Sequence, residues 1–192
     1  MSGLHAAKID CLLGRTLCDQ SLYLGPGARA AHSTRLPVRW LGVFARNELP
    51  DLTKEIRPFA LVLNTDPRSK PGQHWLAHFG PKDGPIELFD LFGLSSYYYR
   101  LEYLRRTHSL IQLQSLFSAF CGHYCIYFLY MRSHKRSLFN KHTLYNIVQM
   151  LMRLPVPDNY IKNFIDNLQR TYRIIYPCNR TGQCCKLKCS FC

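Results

Sequence analysis

Four residues of this 192-residue chain combine reactive chemistry with a suggestive order: His74, Asp90, Gln114 and Cys121. Their settings are Gln73-His74-Trp75, Leu88-Phe89-Asp90-Leu91-Phe92-Gly93 and Cys121-Gly122-His123-Tyr124-Cys125, with Gln114 standing 7 residues ahead of Cys121. A thiol nucleophile needs a base to deprotonate it, a carboxylate or amide to orient that base, and donors for the oxyanion formed on attack. Cys121 opens an apolar run with helical character, which would set its sulfur near a helix N-terminus, where unpaired N–H groups favour a thiolate. Gly122 leaves room for an approaching peptide. His74 titrates in the range needed to take the thiol proton and return it to a leaving amine.

Asp90 follows His74 by 16 residues, a span suited to an adjacent antiparallel strand, from which a carboxylate could hold the imidazole tautomer. The apolar neighbours Phe89, Leu91 and Phe92 favour burial, and a buried carboxylate requires a partner. Gln114 could donate to the oxyanion together with the Cys121 amide. Each residue also has an ordinary alternative: a core thiol, a turn aspartate before Gly93, a solvated glutamine. Gln112, His78 and Cys125 read as bystanders. His74 and His78 form an HxxxH pattern, but Trp75 occupies the position where a zinc-peptidase helix carries its glutamate.

The elements that must position these residues follow from periodicity. Val38–Phe44, Phe59–Asn64, His74–Phe79 and Ile86–Leu91 read as strands, with Asn47–Pro50 turning between the first two and Pro81–Pro85 making a hairpin-like connection between the last two. From Tyr97 the pattern becomes helical. Tyr99–Arg106 is amphipathic, Ile111–Leu113 suits a short buried strand, and an apolar helix runs from Ser118 to Arg132. Thr143–Arg153 and Asp158–Gln169 read as two further helices. Strands followed by helices predict an α+β domain with a mixed sheet. Residues 38–170 form that domain. Residues 1–37 read as an N-terminal extension and linker, helical at best in Met1–Leu24, with a Gly/Pro-rich stretch from Gly25 to Pro37. Residues 171–192 form a basic, cysteine-rich tail.

Hydrophobic residues make up 47% of the chain, enough for a core, and 25 Lys and Arg against 12 Asp and Glu give a formal charge of +13. That excess suits nucleic acid or another acidic partner; Arg100, Arg105, Arg106 and His108, and Arg132, Lys135, Arg136 and Lys141, are candidate DNA-phosphate contacts, with solvated surface the ordinary alternative for each. The opening residues lack an apolar signal core and no run is long enough to span a bilayer, so an intracellular protein with reduced cysteines is expected. Cys185, Cys189 and Cys192 of the tail are weak zinc candidates, because Cys189-Ser-Phe-Cys192 lacks a paired CxxC at ribbon spacing. No cofactor is required by the chemistry.

The order His, acid, Gln, Cys resembles the adenovirus-type cysteine proteases (adenain) and, more distantly, the SUMO-specific proteases. The closest likeness is to the adenain-like proteases of Polinton/Maverick transposons and related DNA viruses. It rests on Leu41-Gly-Val-Phe-Ala-Arg46, Asn64-Thr-Asp-Pro67, Pro71-Gly-Gln-His-Trp75, Cys121-Gly-His-Tyr-Cys-Ile-Tyr-Phe-Leu129 and Asp158-Asn-Tyr-Ile-Lys-Asn-Phe164, and covers about Trp40 to Leu168. The resemblance implies a cysteine-protease fold with base and acid on the sheet and the nucleophile on a central helix. It implies endopeptidase cleavage of capsid and core precursors by a monomer, in the nucleus or virion, with DNA as a candidate activator. Adenain is also stimulated by a disulfide-linked peptide, whereas Arg100–Gln112 contains no cysteine here. Asp90 stands where adenain has Glu, as in the SUMO-type enzymes. Deconjugation of SUMO- or ubiquitin-like proteins is the alternative activity, and an inactive DNA-binding remnant the alternative class. Residues 1–37 and the tail have no counterpart in the family.

Overall fold

The computed structural model describes residues 5–18, 38–70, 72–101, 106–108, 110–113, 119–133 and 143–171, with side chains for all of these except 15, 18 and 106–108. The elements in chain order are α1 (Ala6–Cys18), β1 (Arg39–Ala45), β2 (Phe59–Asn64), β3 (Trp75–Gly80), β4 (Ile86–Phe89), β5 (Arg106–His108), α2 (Cys121–Ser133), α3 (Leu144–Met152) and α4 (Pro157–Thr171). The class is α+β, built on a mixed five-stranded sheet in the order β1-β2-β3-β4-β5.

β2 sits inside the sheet and all six of its residues are buried, which explains its continuous apolar run Phe-Ala-Leu-Val-Leu. Its alternate side chains serve two cores. Ala60 and Val62 join the larger cluster with Ala77, Phe79 and Phe89, while Phe59, Leu61 and Leu63 join a second with Leu76, Ile86 and Leu88. The helices lie on the first face. α2 crosses it, with Phe128 stacked on Phe89 at 4.6 Å between ring centroids. α4 locks onto α2 through Tyr124 Oη donating to Asp158 Oδ1 at 2.7 Å and through the edge contact of Tyr127 with Phe164. Thr143 caps α3, its hydroxyl accepting from Asn146 N. The second face is covered by loops that supply Leu52, Leu94, Tyr99 and Leu101.

Three local readings differ. β1 pairs with β2 in parallel, so residues 46–58 form a crossover and not the simple turn expected at Asn47–Pro50. The described ends of the expected amphipathic helix Tyr99–Arg106 are not helical: residues 96–100 make a tight turn and Arg106–His108 add an edge strand parallel to β4. Ile111–Leu113 are not in a strand, although Leu113 N donates to Leu91 O at 2.8 Å. Within residues 1–37, expected as an extension, Ala6–Cys18 form a helix that is part of the main core. Ile9, Leu12 and Leu13 are fully buried, and the Trp40 indole donates to Asp10 Oδ1 at 2.9 Å.

Candidate active site

His74 lies one residue before β3 and Asp90 one residue after β4, so both occupy the same end of an antiparallel pair. The ladder pairs Ala77 with Phe89; continued three rungs past its end, it brings Phe92 opposite His74. The Phe92 ring does stack on the imidazole, with centroids 4.1 Å apart. The 16-residue spacing therefore closes as a hairpin that sets acid beside base. His74 Nε2 donates to Asp90 Oδ1 at 2.7 Å, both side chains being buried.

Asp90 is fully buried, and its charge is met by several donors. Oδ1 also accepts from Phe92 N at 3.0 Å, and Oδ2 accepts from Leu94 N at 2.8 Å and from the Tyr99 hydroxyl at 3.0 Å. Backbone amides of the loop that follows the carboxylate thus fold back onto it, which is how a buried anion is made tolerable. Gly93 permits that loop. Its φ is +66°, and a Cβ there would come within 2.6 Å of the Ile111 backbone. The same contact fastens the acid loop to the segment leading towards residue 114.

Cys121 is the first residue of α2 and is buried. With Nε2 committed to Asp90, the other ring nitrogen, Nδ1, is buried and makes no hydrogen bond among the described residues. Burial depresses the His74 pKa, but hydrogen bonding and charge interaction with Asp90 and with Cys121 more than offset it, so the net shift is upward from the ordinary 6.5. Cys121 thus lies close enough to the imidazole to act on it. Cys125, one turn along α2, has its thiol fully buried and donating to Trp75 O at 3.4 Å. Burial pushes its pKa well up, which makes it a packing residue.

Compared with protein-family models and with curated proteins, the chain matches none.

A groove of about 550 Å³ opens beside Cys121 and is lined by Trp75, Gln73, Asn64, Phe44 and the first residues of α1. Cys121 is thus reachable from a cleft of peptide-binding size, while His74 and Asp90 support it from within. Asn64 and Gly72 shape one wall: Gly72 has φ +87°, and a Cβ there would overlap the Asn64 amide.

The structure brings together three of the four residues singled out by sequence, His74, Asp90 and Cys121. Gln114 lies outside the described residues, as do the tail cysteines Cys185, Cys189 and Cys192. Among the described residues no cluster of three or more His, Cys, Asp or Glu could hold a metal ion. His78 is buried in β3 between Leu61 and Leu88 of the neighbouring strands. Arg132, expected in a DNA-facing cluster, instead makes a bidentate pair with Glu87 at 2.6 and 2.8 Å and lies over the Phe79 ring. Its long stem and planar head join α2 to the sheet. Sequence reasoning missed Tyr99, Phe92 and the α1 wall of the groove. The run Tyr97-Tyr98-Tyr99 was the available signal for the first.

Proposed function

We propose that this chain is a cysteine endopeptidase in which Cys121 is the nucleophile, His74 the proton carrier and Asp90 the group that orients His74. One observation carries the reading: the buried 2.7 Å His74–Asp90 bond engages Nε2 and leaves Nδ1 for the thiol of Cys121, the first residue of α2.

The chemistry follows from these roles. His74 Nδ1 takes the Cys121 proton, and the thiolate adds to the scissile carbonyl carbon, moving the carbonyl π electrons onto oxygen. The Cys121 backbone N–H, with the Gln114 carboxamide by resemblance, stabilises that oxyanion. On collapse the C–N bond breaks and the imidazolium gives its proton to the departing amine. Water then adds to the thioester, His74 taking its proton, and the thiol is regenerated as the carboxylic acid leaves. Asp90 keeps Nε2 protonated and Nδ1 available throughout, and stabilises the imidazolium.

The resemblance to adenain-like enzymes directs this activity to capsid and core precursors of a virus or transposon, in the nucleus or virion. It adds the adenain/SUMO-protease arrangement to the α+β class, and DNA, favoured by the net charge of +13, as an activator. The test is cleavage of a glycine-rich capsid-type peptide beside a SUMO precursor. Wild type is expected to cut the first and spare the second, and Cys121→Ser to cut neither. Cutting only the precursor would reassign the substrate to deconjugation, and undiminished cleavage by Cys121→Ser would remove the mechanism.

A further inference from the structure

Tyr99 donates from its side chain to Asp90, on the oxygen that His74 does not use. It belongs to a run of three tyrosines that the chain treats in opposite ways. Tyr97 and Tyr98 are 77% and 68% exposed, whereas Tyr99 is 7% exposed. The turn makes the difference. Tyr99 N donates to Ser96 O, Arg100 N to Tyr97 O, and Leu101 N back to Ser96 O, while Arg100 takes φ +55°. A non-glycine residue in the left-handed region is held there by its surroundings, here by the burial of Tyr99 on one side and Leu101 on the other. The ring of Tyr99 lies roughly parallel to that of His74, 6.3 Å between centroids and 24° between planes. Its hydroxyl reaches Asp90 Oδ2 at 3.0 Å. A phenylalanine would fill the same apolar space with Leu76, Leu88 and Leu101, so packing does not explain the hydroxyl.

We infer that Tyr99 is a positioning residue for the triad: its hydroxyl fixes the second oxygen of Asp90 and so holds the first oxygen turned to His74. The inference rests on the peptidase reading for its catalytic consequence, but the hydrogen bond has a readout of its own. Burial, followed by the charge of Asp90 and the bond to it, pushes the Tyr99 pKa far up, so the phenol stays a donor over the whole working range. The titratable groups facing the cluster include His74 ahead of β3 and Cys121 and Cys125 on α2.

Removing a donor from a buried carboxylate disfavours its charged form. Tyr99→Phe is therefore expected to move the acid limb of Cys121 alkylation by iodoacetamide to higher pH, by about one unit. The plateau rate should change little, and peptide cleavage near that limb should fall about tenfold. Site-specific replacement of Tyr99 by a ring-fluorinated tyrosine, a stronger donor of nearly the same size, is expected to move the limb the other way. The low-field proton resonance of His74 Nε2–H should shift in opposite directions in the two proteins. A uniform loss of rate with an unmoved limb, or shifts of the same sign in both proteins, would overturn the inference. The resonance shifting as expected while alkylation and cleavage never depend on Cys121 would leave Tyr99 bonded to Asp90 but sink the peptidase reading.

Discussion

Asp90 has no exposure to water, and the structure surrounds it with two backbone amides, a phenol and an imidazole. Asp90→Asn keeps the shape but removes the charge and invites the wrong tautomer of His74. Peptide cleavage is expected to drop by roughly 10³-fold or more while the thermal melt remains cooperative; a drop below tenfold would show that Asp90 is structural only. His74 adds a pH-dependent term to stability. Its folded pKa lies above the ordinary 6.5, so its stabilisation is fully present below pH 6.5 and is lost as pH rises through the folded value. The stability gap between wild type and His74→Gln in urea titrations should be widest on the acid side and close with rising pH, whereas a gap that widened with pH would reverse the assigned shift. At this scale the sequence was informative because the chemistry is confined to few residue types. His74, Asp90 and Cys121 each stood beside a turn or helix start that spacing could locate. Tyr99 could not be assigned, because its role depends on a turn that reads from sequence as the start of an amphipathic helix.

The elements act on the site through their ends. β3 and β4 deliver His74 and Asp90 from adjacent termini, and α2 begins at Cys121. Gly93 joins the acid loop to the 111–113 segment, where Leu113 N donates to Leu91 O. Gly93→Ala is expected to destabilise the fold by about 1–2 kcal/mol from the backbone conformation alone, with cleavage falling further than stability because the acid loop must shift. Unchanged stability in denaturant titration would contradict the left-handed assignment. Strand and helix positions were largely legible: the expected Phe59–Asn64 strand coincides with β2, and Thr143 does cap α3. Sheet direction was not. A Gly/Pro-punctuated segment between two apolar runs looks alike whether it turns back or crosses over, and only the packing of Leu49 and Leu52 beneath the sheet distinguishes the two.

At the scale of the whole molecule, the sheet is buried on both faces, by helices on one and by loops on the other. α1 is part of that arrangement, and its first residues line the groove that leads to Cys121. Its buried positions 9, 12, 13, 16 and 17 follow the helical period. That signal was present in the sequence, but the Gly/Pro-rich stretch beyond it suggested detachment from the domain. Leu13→Ala is expected to lower stability by about 2–5 kcal/mol, measured by denaturant unfolding. A cost below about 0.5 kcal/mol, the range of surface substitutions, would mean that α1 is not packed as described.

The proposed peptidase depends on Cys121 being a thiol activated by the His74–Asp90 pair. The most direct measurement is the rate and site of alkylation by iodoacetamide at mildly acidic pH, read by peptide mass spectrometry on wild type, His74→Ala and Asp90→Asn. A thiol activated by an adjacent imidazole reacts where an ordinary thiol is protonated and slow. Rapid modification of Cys121 with Cys125 spared is expected, slowed by about a hundredfold in His74→Ala and by a lesser factor in Asp90→Asn. Modification of Cys121 at the same slow rate in all three proteins, or preferential modification of Cys125, would contradict it.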